Sequence, residues 1–195
     1  MRSPARIQSP FPVGQRLRRQ VWNCVWLFLF RPSPTVCFAW RRALLRLFGA
    51  RIDRTARVYS STKIWAPWNL IMGARSVLAD NVDCYNVAKV TLEEEAIASQ
   101  YSYLCTAGHD IHNPQFPLVM APITLRQKAW VCAKAIVSKD VQVGEGAVVA
   151  IGAVAVKSVL PWTVVGGNPA ELITTRLSPE EISEQERTPR GSAEA

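Results

Sequence analysis

The chain has 195 residues, 49% of them apolar, and a formal net charge of +8. That apolar share excludes a disordered polymer, and the length suits one domain with a small appendage. The charge is uneven: residues 1–57 hold twelve arginines and one acid, Asp53 (+11), and the remainder holds eleven basic and fourteen acidic residues (−3).

A basic arm on a mildly acidic body points to an anionic contact, such as a membrane surface, a phosphate-bearing substrate or nucleic acid. Within the arm, VWNCVWLFLF at 21–30 is apolar but too short to span a bilayer, and Arg19 and Arg31 bound it. One reading is a buried helix packed on the body. The other is an interfacial helix on anionic lipid, with Trp22, Trp26, Phe28 and Phe30 at headgroup level. A second segment, VCFAWRRALLRLF at 36–48, is amphipathic. Val36, Cys37, Trp40, Leu44, Leu47 and Phe48 share one helical face, and Arg41, Arg42 and Arg46 lie on another. Pro32 and Pro34 separate the two helices. The interleaved tryptophans fit lipid or core better than nucleic acid, and no nucleic-acid module is present. On this reading, deleting residues 1–50 releases the protein from anionic vesicles and leaves the rest folded. Five widely spaced cysteines with no CxxC argue against a disulfide framework and a zinc site. Reduced cysteines point to a cytoplasmic location, with peripheral contact at the inner membrane as an extension.

From Ile52 onward the chain repeats with a period of six. Apolar first positions run Ile52, Val58, Ile64, Leu70, then Met72, Leu78, Cys84, Val90, then Leu92, Ala98, Leu104, and finally Leu125, Val131, Val137, Val143, Val149, Ala155. The fifth positions are small, except Trp68. Neither a helix of 3.6 residues per turn nor an alternating strand has this period. A triangular coil does: each hexad forms one side of a prism and ends in a corner, and three hexads complete a turn. Coils stack at about 4.8 Å, and none can bury its apolar face alone. The expected fold is an all-β solenoid over 51–176, with N-terminal helices over 1–50 and a short tail over 177–195. CTAGHDIHNPQFPLVMAPI at 105–123 breaks the rhythm and carries both histidines, His109 and His112. It reads as a functional loop leaving the solenoid at a corner.

The hexad series, LCTAGHD at 104–110, GEGAVVAIGAVAVK at 144–157 and LPWTVVGGNPAELI at 160–173 resemble the left-handed parallel β-helix O-acetyltransferases acting on galactosides and maltose. KIWAPWNL at 63–70, YNVAKVTL at 85–92 and the Trp- and Arg-rich N-terminus resemble more closely the colanic acid and exopolysaccharide acetyltransferases. The resemblance implies a homotrimer with acetyl-CoA bound between prisms. The acceptor would be a hydroxyl of a sugar or lipid-linked oligosaccharide. It implies that His109 is catalytic, and that Asn86, Asp110 and His112 serve the acceptor. It places Trp130, Gly152, Ala153, Lys157, Gly166 and Gly167 along the coenzyme. Glu171 stands where the family often has arginine, and Arg176 is the candidate to compensate.

Acetyl transfer to a hydroxyl needs a base as the oxygen attacks, and imidazole, with a reference pKa of about 6.5, suits the task. Its other nitrogen must be held, by a backbone carbonyl or by Asp110. Cys105 is placed near the inward face rather than as a nucleophile. Glycine is sparse at the second hexad position, where the family usually has it. No metal is expected, since a zinc enzyme on this fold needs three histidines from separate coils and the chain has two. A catalytically silent scaffold or sugar-binding module on the same prism is the alternative. Ser178 and Glu181 form a capping-box start to the tail, which continues as a frayed helix and disorder.

Overall fold

The computed structural model describes residues 11–187. Short parallel strands stack in three ladders that form the sides of a prism. The first face holds Arg51–Ile52, Leu70–Met72, Val90–Leu92, Ile123–Leu125 and Gln142–Val143. The second holds Arg57–Val58, Val77–Leu78, Ile97–Ala98, Trp130–Val131, Val148–Val149 and Thr163–Gly166. The third holds Lys63–Ile64, Asp83–Tyr85, Tyr103–Cys105, Ile136–Val137 and Val154–Ala155. The predicted solenoid is therefore present, with five full coils and a sixth begun.

Register stacks like on like. Ile52 pairs with Met72, Met72 with Leu92, Leu92 with Leu125, and Leu125 with Val143. These side chains are buried along the prism axis, and the small residues Ala56, Ala96, Ala129, Ala135, Ala147 and Ala153 are buried beside the corners. Each fully buried Val or Leu contributes about 1.5–3 kcal/mol, offset largely by chain ordering. Leu70 and Met72, read as starting different hexads, are two inward residues of a single strand.

The corners use a rule that the repeat did not reveal. The fourth hexad position adopts positive φ: Arg75, Asn81, Glu95, Tyr101, Lys128, Lys134 and Asp140 are left-handed, as are Gly146 and Gly152. Left-handed backbone is unfavourable for residues with a Cβ. Stacking offsets the cost, because the N–H of the left-handed residue donates to the third residue of the corner below. Glu95 donates to Ala74, Tyr101 to Asp80, Lys128 to Glu94 and Lys134 to Gln100 at 2.8–3.1 Å. Most corners therefore do without glycine at the second position, although a Cβ on Gly73 or Gly144 would press on the backbone of the next coil.

The N-terminal helices close the first coil. Along the prism alternate carbonyls of each coil accept N–H groups of the coil before, as Ser76 O accepts from Arg57 and Leu78 O from Tyr59, while other N–H groups, such as that of Glu95, donate backward. The first coil therefore presents carbonyl oxygens with no coil before them. Five side-chain donors meet five of them. Trp22, in α1 (Val13–Val25), donates Nε1–H to Ile64 O at 2.7 Å. Trp26, opening a π-helical turn (Trp26–Phe30), donates to Thr62 O at 2.8 Å. In α2 (Phe38–Leu47), Arg41 reaches Val58 O at 2.6 Å, Arg42 reaches Ala56 O at 3.0 Å, and Arg46 reaches Ile52 O at 2.6 Å. Trp and Arg side chains donate and do not accept, so they suit the carbonyls of this edge.

Arg41 is wholly buried together with Leu44 and Leu45 and also binds Pro34 O and Thr35 O, so α2 turns Arg41 inward and leaves Trp40 and Leu47, with Val36 just before the helix, exposed. This corrects the expectation that residues 1–50 can be deleted with the rest left folded, because their removal strips the first coil of its donors. Arg2 and Arg6 lie outside the described residues, as does the tail beyond Arg187. At the other end, Thr163–Gly166 pairs antiparallel with Glu171–Thr175. The capping box then starts α3 (Pro179–Arg187): Ser178 N–H donates to Glu181 Oε2 at 2.7 Å and Glu181 N–H to Ser178 Oγ at 3.2 Å.

Candidate active site

The break in the repeat is a β-hairpin standing off the corner between the third and first faces. Ala107–His109 pairs antiparallel with Leu118–Met120. Its base is tied to the coil below: buried Thr106 donates Oγ1–H to Tyr85 O at 2.8 Å and accepts Ala88 N–H at 3.0 Å. At the tip Asp110 Oδ1 accepts the His112 N–H, Asn113 Oδ1 accepts the Gln115 N–H, and Asn113 O accepts the Phe116 N–H. These bonds hold Phe116 at φ 51°.

That conformation aims the Phe116 carbonyl at His109, whose Nδ1 lies 2.7 Å from the oxygen. A carbonyl only accepts, so Nδ1 carries the proton, and Nε2 of the neutral ring keeps its lone pair. The imidazole also stacks on the Phe116 ring, with centroids 5.0 Å apart and planes 15° apart. Of the two partners foreseen for the ring, the carbonyl is the one used; Asp110 is engaged by the turn. His112 is exposed on the same tip. Sequence reasoning missed two neighbours. Phe116 holds the ring, and Lys139 lays its stem over Gly108, where an added Cβ would lie 3.4 Å from Lys139 Cε. The absent side chain at Gly108 was the readable signal.

Other expected residues are distributed around the prism. Trp130 lies half-exposed on the second face, its Nε1–H donated to Ser99 Oγ at 2.8 Å. Gly152 occupies an open corner at φ 69°, with no atom within 4 Å of where a Cβ would be. Ala153 is buried, and its backbone donates to Ala150 O and accepts from Ile136. Lys157 is exposed at the corner two coils beyond the hairpin. Gly166 packs where a Cβ would meet Ile173 Cδ1 at 2.4 Å, and Gly167 sits at φ 95°. Lys139 and Lys157 thus share the prism edge that carries His109, whereas Trp130 lies across the first face from it.

Three placements differ from expectation. Asn86 is fully buried; its amide accepts Ala66 N–H at 2.9 Å and donates to Ala66 O at 2.7 Å, so it braces a corner. Arg176 donates to Gly146 O at 2.8 Å and sits by the Trp162 ring, at the opposite end of the terminal ribbon from Glu171, so it does not offset that charge. Cys105 faces outward, since Leu104 is the inward residue of its strand, and its thiol donates to Ala107 O at 3.2 Å.

Between α1 and the third face runs a cleft of about 460 Å³, with Arg19, Trp26, Lys63, Trp65, Asp83 and Tyr85 among its walls. Trp65 and Tyr85 meet edge to face at 6.0 Å, and Arg19 lies over the Trp65 ring at 4.4 Å. Burial pushes the Asp83 carboxyl above its ordinary range, and the Lys63 ammonium opposes the shift. Aromatic faces beside a carboxylate and cations suit a polar ring with both apolar and hydroxyl-bearing sides. Tyr85 pairs with Cys105 on this face, so the cleft leads up to the root of the hairpin. Among the described residues no His, Cys, Asp and Glu cluster could hold a metal ion.

The chain is 35% identical over 174 residues to an Escherichia coli K12 protein, WcaF, whose name assigns it to colanic acid biosynthesis as an acetyltransferase; the match covers 89% of this chain and 96% of that one. Among solved structures, a hexapeptide-repeat acetyltransferase of Vibrio cholerae, crystallised with acetyl coenzyme A, matches at a TM-score of 0.77 and 21% identity over 87% of this chain and 93% of that one. A maltose O-acetyltransferase from Clostridium difficile matches at a TM-score of 0.76 and 19% identity over 86% and 90%. No family model matches the chain.

Proposed function

The chain belongs to the hexapeptide-repeat acetyltransferases related to the colanic acid enzyme and is an acyltransferase, and we propose that it moves an acetyl group from acetyl-CoA to a sugar hydroxyl of an exopolysaccharide precursor, with His109 as general base. The observation that carries this reading is the bond from His109 Nδ1–H to the Phe116 carbonyl, which leaves Nε2 bare on an exposed hairpin. As the hydroxyl oxygen attacks the thioester carbonyl, Nε2 accepts its proton. The C–S bond then breaks, and the imidazolium returns the proton to the departing thiolate. No covalent intermediate on the protein is required. Lys139 and Lys157, on the edge above the hairpin, offer cations to the coenzyme phosphates. The aromatic cleft on the third face takes the sugar, with Asp83 and Lys63 meeting its hydroxyls.

A homotrimer completes the site on this reading. His109 and Trp130 of one prism stand on opposite edges of the first face, so a coenzyme that touches both groups is best held between two prisms. The acceptor is a sugar or lipid-linked oligosaccharide, handled in the cytoplasm.

The test is His109→Ala assayed for coenzyme A release with acetyl-CoA and candidate glycans. The expected result is a fall in rate of about a hundredfold or more with unchanged melting temperature. A rate within a few-fold of the parent would remove His109 from the chemistry. Glu171, exposed near the expected coenzyme edge, favours a second reading: a silent sugar-binding module. It would bind glycan and release no coenzyme A.

A further inference from the structure

The helices that plug the first coil each turn one side to the prism and leave apolar residues on the other. In α1, Gln15, Arg19, Trp22 and then Trp26 face the prism. The opposite side presents Val13, Leu17, Val21, Cys24 and then Phe28, at the same helical spacing, with Leu17 65% and Phe28 69% exposed. In α2, with Arg41 turned inward, Val36 at 84%, Trp40 at 47% and Leu47 at 78% point away from the body. The Trp40 Nε1–H donates to Leu29 O at 3.0 Å, which joins the two stripes into one surface on the base of the prism.

We infer that this base docks on a lipid bilayer bearing anionic headgroups. Charge decides the occupant. Arg16 flanks the α1 stripe, Arg31 follows the π-helical turn, and no aspartate or glutamate precedes Asp53. An apolar face bordered by arginines and free of carboxylates matches the interface between acyl chains and anionic headgroups. Two such bases meeting each other would bring like charges together with nothing to neutralise them. The acidic α3 starts at the far end of the prism from this base. No helix among the described residues is long and apolar enough to cross a membrane, so the contact is peripheral. Leu27 borders both this face and the aromatic cleft, so docking sets the cleft mouth at the headgroup level.

The docking does not depend on acetyl transfer, and its test reads binding alone. Full-length protein is sedimented with phosphatidylglycerol-containing vesicles and with pure phosphatidylcholine vesicles, at low and high salt. The expected result is binding to the anionic vesicles alone, weakened by salt. The double variant Leu17→Glu/Phe28→Glu should bind at least tenfold more weakly, with unchanged melting temperature and subunit number. Absence of vesicle binding, or equal binding by the variant, overturns the inference. So does a higher assembly, seen by light scattering, that the variant dissolves while vesicles stay unbound, because a second copy then covers the face. An inactive protein that still binds vesicles would fail the acetyltransferase reading and leave this one standing.

Discussion

The two ends of the solenoid are finished by different means. On the first coil, side chains meet the open main chain: three arginines and two tryptophans each donate to a main-chain oxygen. On the last coil, backbone does so: the chain doubles back so that Glu171–Thr175 runs antiparallel beside Thr163–Gly166. An edge finished by side chains leaves its mark on residue composition, and an edge finished by backbone does not. The Arg- and Trp-rich N-terminus is in large part what those open carbonyls demand.

The largest effect should come from taking a donor from the first edge. Arg41→Ala leaves the buried Val58 carbonyl without its donor and empties the space of a wholly buried side chain, at an expected cost of about 3–5 kcal/mol, read from denaturant unfolding midpoints. Stability within about 1 kcal/mol of the parent would mean that the first edge does not need its plug. At the opposite end the sensitive position is a glycine. A Cβ on Gly144 would lie 2.5 Å from Pro161 N and 2.8 Å from Leu160 C, both backbone, so Gly144→Ala should cost about 1–3 kcal/mol. The smallest change, Trp22→Phe, keeps most of the ring packing and drops the bond to Ile64 O, for about 1–2 kcal/mol. If Trp22→Phe cost nothing measurable, ring packing rather than donor supply would hold the cap.

The repeat was legible because each first-position residue is apolar and points to one axis, a constraint strong enough to show in a single sequence. The corners were not. Their left-handed position accepts Arg75, Tyr101 and Lys128 as readily as Gly146, since the stacked N–H bond rather than residue type sets the conformation. The burial of Arg41 in α2 was not legible for a related reason. Helical patterning separates apolar from charged positions, and here unpaired carbonyls hold a guanidinium on the inward side. At the site, His109 was readable as the imidazole in the broken rhythm. Its partner was not, because what holds the ring is a main-chain oxygen set by the φ of Phe116. The acceptor role expected for Asn86 gave way to bracing because a buried amide had Ala66 to satisfy.

The plug on the first coil also governs how molecules behave toward one another. An open stack with unpaired main-chain groups on both rims is a monomer for linear growth, since each molecule could seat the next on its free rim. With guanidinium and indole groups already occupying the first rim, that propagation has no starting surface. The same residues that finish the fold thereby keep a repetitive β-structure from becoming a fibre.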